Sequence, residues 1–339
     1  MWLVYIILII FVILLGIANL FLNFIFGKRC EGNPKLKYFT HKDFEKLDAK
    51  DIEFSSDKGQ IIRGKIYTNK DIKEYKRLLI FVHGMGGGHL SYTTEINTFA
   101  KAGYIVLSYD NTGTCSSEGK NLKGFFQSVN DLKYVLKSIE KNEELNKYEI
   151  SLVGHSWGAY TVCQILQFNF NIKSVVSISA PNDTNKLICD LLKNETKINF
   201  NFLKPFFIII NFLKFGKDGV KNTVEVLKKV QIPVLLLHGK NDRTVEIENS
   251  LVCDKDVFKS QTNIEIIMYD ERYHNVYQTN ESEKYLNSVF GQISEFSKKY
   301  KGNELEEKLD SIYKNIDYKK ITEEDENVMN TIIEFLNKN

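Results

Sequence analysis

Leu152-Val153-Gly154-His155-Ser156-Trp157-Gly158 is the stretch on which the reading of this chain turns. The apolar run at 148–153 reads as a buried strand, and the segment at 159–167 is compatible with a helix. Between them, Gly-x-Ser-x-Gly places a serine at the centre of a strand-to-helix turn, the arrangement called a nucleophile elbow. So tight a turn brings neighbouring backbone too close for side chains at the two glycine positions. The pentapeptide alone carries little weight. It gains weight only if the chain also supplies a base, an acid and an oxyanion hole in matching order.

The totals are permissive. The 339 residues suffice for one large α/β domain with extensions. With 45 basic and 43 acidic residues the formal net charge is +2, which gives no electrostatic case for a nucleic-acid partner. Cys30, Cys115, Cys163, Cys189 and Cys253 are odd in number and lack C-x-x-C spacing, so neither a complete disulfide framework nor a zinc site is expected. Neither H-E-x-x-H nor G-x-x-x-x-G-K-[ST] occurs, and no metal, nucleotide or other cofactor is expected. Oligomeric state is left open.

Residues 2–26 carry no charge and are interrupted only by Gly16, Asn19 and Asn23. About 20 apolar residues suffice to cross a bilayer as a helix, so 1–27 is expected to be a single-pass transmembrane anchor. A cleaved signal peptide would show a charged start, a shorter apolar core and small residues at a cleavage site, and none of these is present. Lys28, Arg29, Lys35 and Lys37 follow the span, against only the α-amine before it. The positive-inside rule then places the large domain in the cytoplasm. Residues 28–50 read as a linker.

From 51 to 300 the pattern is that of one α/β domain. A hairpin is expected over 51–67, turning at Asp57-Lys58-Gly59. Apolar strands at 77–82, 104–109, 172–179, 232–237 and 264–269 join the one before the elbow. They alternate with helices near 93–102, 124–140, 250–259 and 281–300. That alternation predicts a doubly wound, mostly parallel sheet. The alternation breaks over 182–229, which reads as a short helical cap. Within the cap, 200–215 is rich in Phe, Ile and Leu but is interrupted by Lys204, Pro205 and Lys214, too broken for a second span. Two readings of it stay open, packing of the cap onto the sheet and direct contact with lipid. The charged tail, 301–339, shows helical spacing at Leu305, Leu309 and Ile312 and again at Val328, Ile332 and Phe335. It is expected to be a helical or flexible extension and is assigned no chemistry.

A serine hydroxyl needs an imidazole to take its proton, and the imidazole needs a carboxylate to hold its tautomer and stabilise its cation. Asp242 follows the strand at 232–237 and His274 follows the strand at 264–269, both at carboxyl ends, where open α/β sheets place ligands. His83, His155 and His238 belong to turns and read as structural, His41 precedes the sheet, and His89 lies in the loop after 77–82. His274 is therefore the expected base. Asp270, a rival acid, lies too close to His274 along the chain. The Trp157 N–H, just after the serine, and the Met85 N–H, in His83-Gly84-Met85-Gly86-Gly87-Gly88, are the expected oxyanion donors.

These motifs together resemble the α/β-hydrolase superfamily, in particular its monoacylglycerol-lipase-like and serine-aminopeptidase-like branch. The matching residues are His83-Gly84-x-Gly86-Gly87, Asp110-x-x-Gly113-x-x-Ser116, Gly154-His155-Ser156-Trp157-Gly158, His238-Gly239-x-x-Asp242-x-x-Val245 and His274. The resemblance covers roughly 51–300. It implies Ser156 as nucleophile, Asp242 as acid, His274 as base, Met85 and Trp157 as oxyanion donors, and 182–229 as the cap. The stretch Asn111-Thr112-Gly113-Thr114-Cys115 departs from the Arg-Gly-x-Gly of many relatives, and the cap is short. The expected function is a membrane-anchored serine hydrolase of carboxylic esters, with a monoacylglycerol, a lysophospholipid or another acyl ester as substrate. Alternatives are an aminopeptidase-like enzyme whose Asp183, Asp190 or Glu195 holds a substrate amine, a thioesterase or acyltransferase, and a non-catalytic binding protein of the same fold.

Overall fold

The computed structural model describes every residue except Asp254. Five consecutive apolar residues form β3 (Leu78–Val82), and all five are buried, as a strand covered on both faces requires. The full sheet comprises β1 (Leu47–Ser55), β2 (Ile61–Asn69), β3, β4 (Ile105–Tyr109), β5 (Ile150–His155), β6 (Ile172–Ile178), β7 (Val234–Gly239) and β8 (Ile264–Tyr269). Its order is β1-β2-β4-β3-β5-β6-β7-β8. β1 and β2 form the expected hairpin, with Leu47 opposite Asn69, and β2 runs antiparallel to β4. All other pairings are parallel.

Side chains alternate across each strand, and the sheet therefore feeds two cores. Leu78, Ile80 and Val82 point to one, where α3 (Gln127–Glu140) and α4 (Trp157–Gln164) pack. Leu79 and Phe81 point to the other, where α2 (Thr93–Lys101) packs. The last helix, α11 (Glu326–Lys338), covers this second face with Val328, Met329, Ile332, Phe335 and Leu336 all buried. Burial of each such side chain contributes about 1.5–3 kcal/mol. Tyr104 Oη donates to Asn337, Arg77 donates to the Leu336 carbonyl, and Arg272 pairs with Asp325 at the start of α11. The end of the charged tail thus covers the sheet. Between β8 and α11, α8 (Asn280–Lys299), α9 (Gly302–Lys314) and α10 (Tyr318–Ile321) gather around Val289, Tyr313 and Ile316.

Between β6 and β7 lie α5 (Thr184–Thr196), α6 (Lys204–Phe215) and α7 (Thr223–Leu227). α6 divides its apolar residues. Phe206, Phe207 and Ile210 are buried, while Ile208, Phe212 and Leu213 are exposed, Leu213 at 75%. α1 (Trp2–Phe26) is, among the described residues, the one helix long and apolar enough to cross a membrane. Its first half, from Trp2 through Ile13, is largely exposed. Its second half packs on the domain through Ala18, Leu22 and Phe26. Ring pairs Phe11–Phe206, Phe21–Phe200 and Phe26–Phe125, with centroids at 5.3, 5.1 and 5.0 Å, tie α1 to the cap and to the segment before α3.

One expected element is absent. No α-helix forms over 250–259 among the described residues; there are only 3₁₀ turns at Ile247–Asn249 and Lys255–Phe258, with Asp254 outside the description. Ser250 supplies the reason. Its hydroxyl donates to the Ile247 carbonyl at 2.8 Å and accepts the Val252 N–H at 3.2 Å, a local pattern that competes with helix propagation.

A buried acid pair joins α2 to the turn before α11. Burial, with Glu324 beside it, raises the Glu95 pKa well above its ordinary value, and burial pushes Glu324 to about 7. An unfolded glutamate titrates near about 4.3. Between these values the unfolded chain sheds protons that the folded chain keeps, so stability falls as pH rises. Glu324→Gln should therefore raise Tm at pH 8 and leave it unchanged at pH 4, as read by thermal melts at the two pH values.

Candidate active site

The elbow begins with two close approaches. A Cβ on Gly158 would lie 1.9 Å from the Val82 carbonyl oxygen, and one on Gly154 would lie 2.3 Å from the Gly158 carbonyl oxygen. Neither position admits a side chain. Ser156, between them, holds φ at 56° and ψ at −113°, a region that costs a non-glycine residue about 1–3 kcal/mol. Its N–H donates to the Ile178 carbonyl at 2.8 Å, and its own carbonyl accepts the Tyr160 N–H at 3.0 Å. Those two bonds hold the strained turn and leave Oγ free.

Met85 follows a glycine whose peptide is oriented by His83. Burial lowers the His83 pKa, so the ring is neutral. Its Nε2 accepts from the Asn111 backbone N–H at 3.0 Å, which leaves the proton on Nδ1 to donate to the Gly84 carbonyl at 2.6 Å. In a trans peptide the N–H points opposite the C=O. Pinning the Gly84 carbonyl therefore turns the Met85 N–H away from His83, and that N–H has no hydrogen-bond partner among the described residues. Trp157 is the first residue of α4, where the N–H lacks an intrahelical acceptor. Its indole is buried and donates to the Phe125 carbonyl at 2.8 Å, locking the side chain away from the site.

Asp242 and His274 meet. His274 Nδ1 donates to Asp242 Oδ2 at 2.8 Å, while Asp242 Oδ1 accepts the Thr244 and Val245 N–H groups at 2.8 and 2.9 Å. Burial works to raise the Asp242 carboxyl, but adjacent His274, its hydrogen bond, His238 and the Val245 N–H together hold it below its ordinary value. That bond between His274 and Asp242 occupies Nδ1 and turns Nε2 away from the carboxylate. Among the described residues His274 makes no hydrogen bond to Ser156 Oγ. Asp270 is on the surface, paired with Lys240 at 2.8 Å.

Two residues outside the sequence motifs complete the arrangement. The Gly84 N–H donates to Tyr92 Oη at 3.0 Å, and that hydroxyl donates to His155 Nδ1 at 2.8 Å. Burial, with His274 beside it, depresses the His155 pKa to about 3, so the ring is neutral and its Nε2–H donates to the His274 carbonyl at 3.1 Å. One directional chain of donors thus links the Met85 loop to the His274 loop. Ser179, at φ 59°, adds a second anchor by donating from Oγ to the same carbonyl at 2.7 Å. Neither Tyr92 nor Ser179 carries any local signal; each acts only through partners distant along the chain. Asp110, in the departing loop, accepts from His89, from the His89 N–H and from Ser116, which holds the glycine-rich loop from behind.

Comparison with known proteins is consistent with this geometry. The family described as serine aminopeptidase, S33 (Hydrolase_4), matches residues 73–203. Protein ABHD8 of Bos taurus is 23% identical over 210 residues, covering 50% of this chain and 46% of its own. The acylamino-acid-releasing enzyme of Mus musculus is 23% identical over 242 residues, covering 66% of this chain and 32% of its own. The chain thus spans about half or less of the length of these relatives. An esterase of Pyrococcus furiosus superposes with a TM-score of 0.57 at 22% identity, covering 81% of this chain and 99% of that one. At that identity the structural likeness is one of fold.

Tyr92→Phe tests the donor chain. It leaves the Gly84 N–H without an acceptor and His155 Nδ1 without a donor in a buried site, a loss of about 1–3 kcal/mol. Denaturant titration of wild type and variant should show it as a lower midpoint with an unchanged slope.

Proposed function

From the premise that this chain belongs to the α/β-hydrolase superfamily, we propose a membrane-anchored serine hydrolase that cleaves carboxylic esters, acyl and lipid esters foremost. The observation that carries the proposal is the Asp242–His274 hydrogen bond at 2.8 Å, which occupies Nδ1 and turns Nε2 away from the carboxylate. Ser156 Oγ attacks the ester carbonyl as His274 Nε2 takes its proton. The Met85 and Trp157 N–H groups receive the developing oxyanion, an interaction worth about 3 kcal/mol per donor. His274 returns the proton to the departing alcohol, and water then releases the acyl group by the reverse sequence. The hydrogen bond from Ser156 to His274 forms when substrate binds, since such bonds are commonly loose without it.

Esters are favoured over peptides because Asp183 and Asp190, two of the three cap acids considered as amine holders, are already engaged. Asp183 accepts from the first turn of α5 and lies 2.7 Å from Lys204, while Asp190 lies 2.7 Å from Lys186. Neither is free to hold a substrate amine. Membrane attachment is supported by α1 and by the exposed Ile208, Phe212 and Leu213 on the neighbouring α6. α1 is about 37 Å long at 1.5 Å per residue, enough to span a bilayer core.

Ser156→Ala should abolish both p-nitrophenyl butyrate turnover and labelling by a fluorophosphonate probe; full turnover by the variant would sink the mechanism. Asp242→Asn should lower kcat by about 10²–10⁴-fold with the fold intact. Faster hydrolysis of aminoacyl anilides than of esters would transfer the reading to a peptidase. In liposome flotation the full chain should rise with the vesicles, and a chain lacking residues 1–27 should float less.

A further inference from the structure

A cavity of about 470 Å³ opens beside the Met85 loop, on the side of α2 and α8. That volume falls within the ordinary range for ligand sites. Its apolar walls come from Leu36 and Phe39 of the segment after α1, Leu90 ahead of α2, Leu286 and Phe290 of α8, and Ile321 of α10. It shares two points with the candidate active site: Met85, whose side chain is 42% exposed, and Asn275, next to His274.

The walls are held by contacts between the two ends of the chain. Asn33 Nδ2 donates to Tyr313 Oη at 2.7 Å, and Lys35 pairs with Glu306 and Asp310 of α9. Tyr38 accepts the Asn33 N–H at 2.9 Å, and its ring lies so close to Gly87 that a Cβ there would come within 2.6 Å. The segment after α1 is thus pressed against the glycine-rich loop on one side and against the helices after β8 on the other. Both ends lie outside the stretch, 73–203, that matches the hydrolase family.

We propose that this groove receives the apolar acyl group of the substrate, its carbonyl lying beneath the Met85 and Trp157 N–H groups, and that it sets chain-length preference. This rests on the ester-hydrolase reading. A separate cavity, lined by His274 with Arg243, Glu283 and Lys284, is polar and suits the leaving alcohol. The apolar group then belongs in the apolar cavity beside Met85. The acyl chain enters along α8 and α10.

The test uses the full-length protein and p-nitrophenyl esters from acetate to palmitate. Leu286→Trp and Ile321→Trp fill the groove; each should lower kcat/KM for laurate and longer esters at least 10-fold while acetate stays within twofold. Phe290→Ala widens the rim at a half-exposed position and should move the optimum to longer chains, which keeps the test open if a tryptophan variant fails to fold. Acetate turnover and fluorophosphonate labelling serve as controls on folding and on Ser156. Chain-length profiles that run parallel to wild type in variants with intact acetate turnover would overturn the groove assignment and leave the hydrolase reading standing. Absence of ester turnover by labelled wild type would remove both.

Discussion

The Val82 carbonyl oxygen lies where a side chain on residue 158 would have to go, 1.9 Å from the place of a Cβ, and the candidate site depends on that contact. It lets α4 start directly over the ends of β3 and β5. Trp157 then stands beside His83 in the loop that leaves β3, their ring centroids 6.2 Å apart. Ser156 is driven into its strained conformation by the same turn, and its bonds to Ile178 and Tyr160 offset the cost. Any residue larger than glycine at 158 would push α4 off the sheet and shift Ser156 and Trp157 away from the Met85 loop.

Around this turn the histidines divide by burial. His83, His155 and His238 are enclosed, and each pKa is depressed, so each ring stays neutral and acts as a fixed pair of one donor and one acceptor. Neutral imidazoles suit this use because their tautomers are dictated by neighbours with a single possible role, such as a backbone N–H or C=O. His83 orients one peptide and His155 joins the Tyr92 hydroxyl to the His274 carbonyl. His274 pairs with the Asp242 carboxylate, which can stabilise an imidazolium. Asp242 has its other oxygen occupied by two backbone N–H groups, so its charge is held in one direction.

The resemblance to hydrolases was legible because it rests on local features. Continuous apolar runs marked the parallel strands, and the order of Ser156, Asp242 and His274 placed each at a strand end that the structure also shows. The helix expected over 250–259 failed because periodicity counts apolar positions and does not register a serine hydroxyl bonding its own turn. The stretch at 200–215 divides, since α6 buries Phe206, Phe207 and Ile210 against the domain and exposes Phe212 and Leu213. Tyr92 and Ser179 were invisible because nothing beside them in the chain hints at His155 or His274.

By itself the sequence determined the strand set, the glycine turn around Ser156, the candidacy of Asp242 and His274 as a pair, and the long uncharged helix at the start. Each follows from spacing or residue type within a few positions, where sterics and burial act along one element. Only the tertiary structure decided that the two ends of the chain clasp one another beside Met85, that α11 seals the second core, and that a chain of donors runs from Gly84 to His274. Those outcomes depend on which elements meet once the sheet has twisted and closed. Contact between distant residues leaves no period in the sequence.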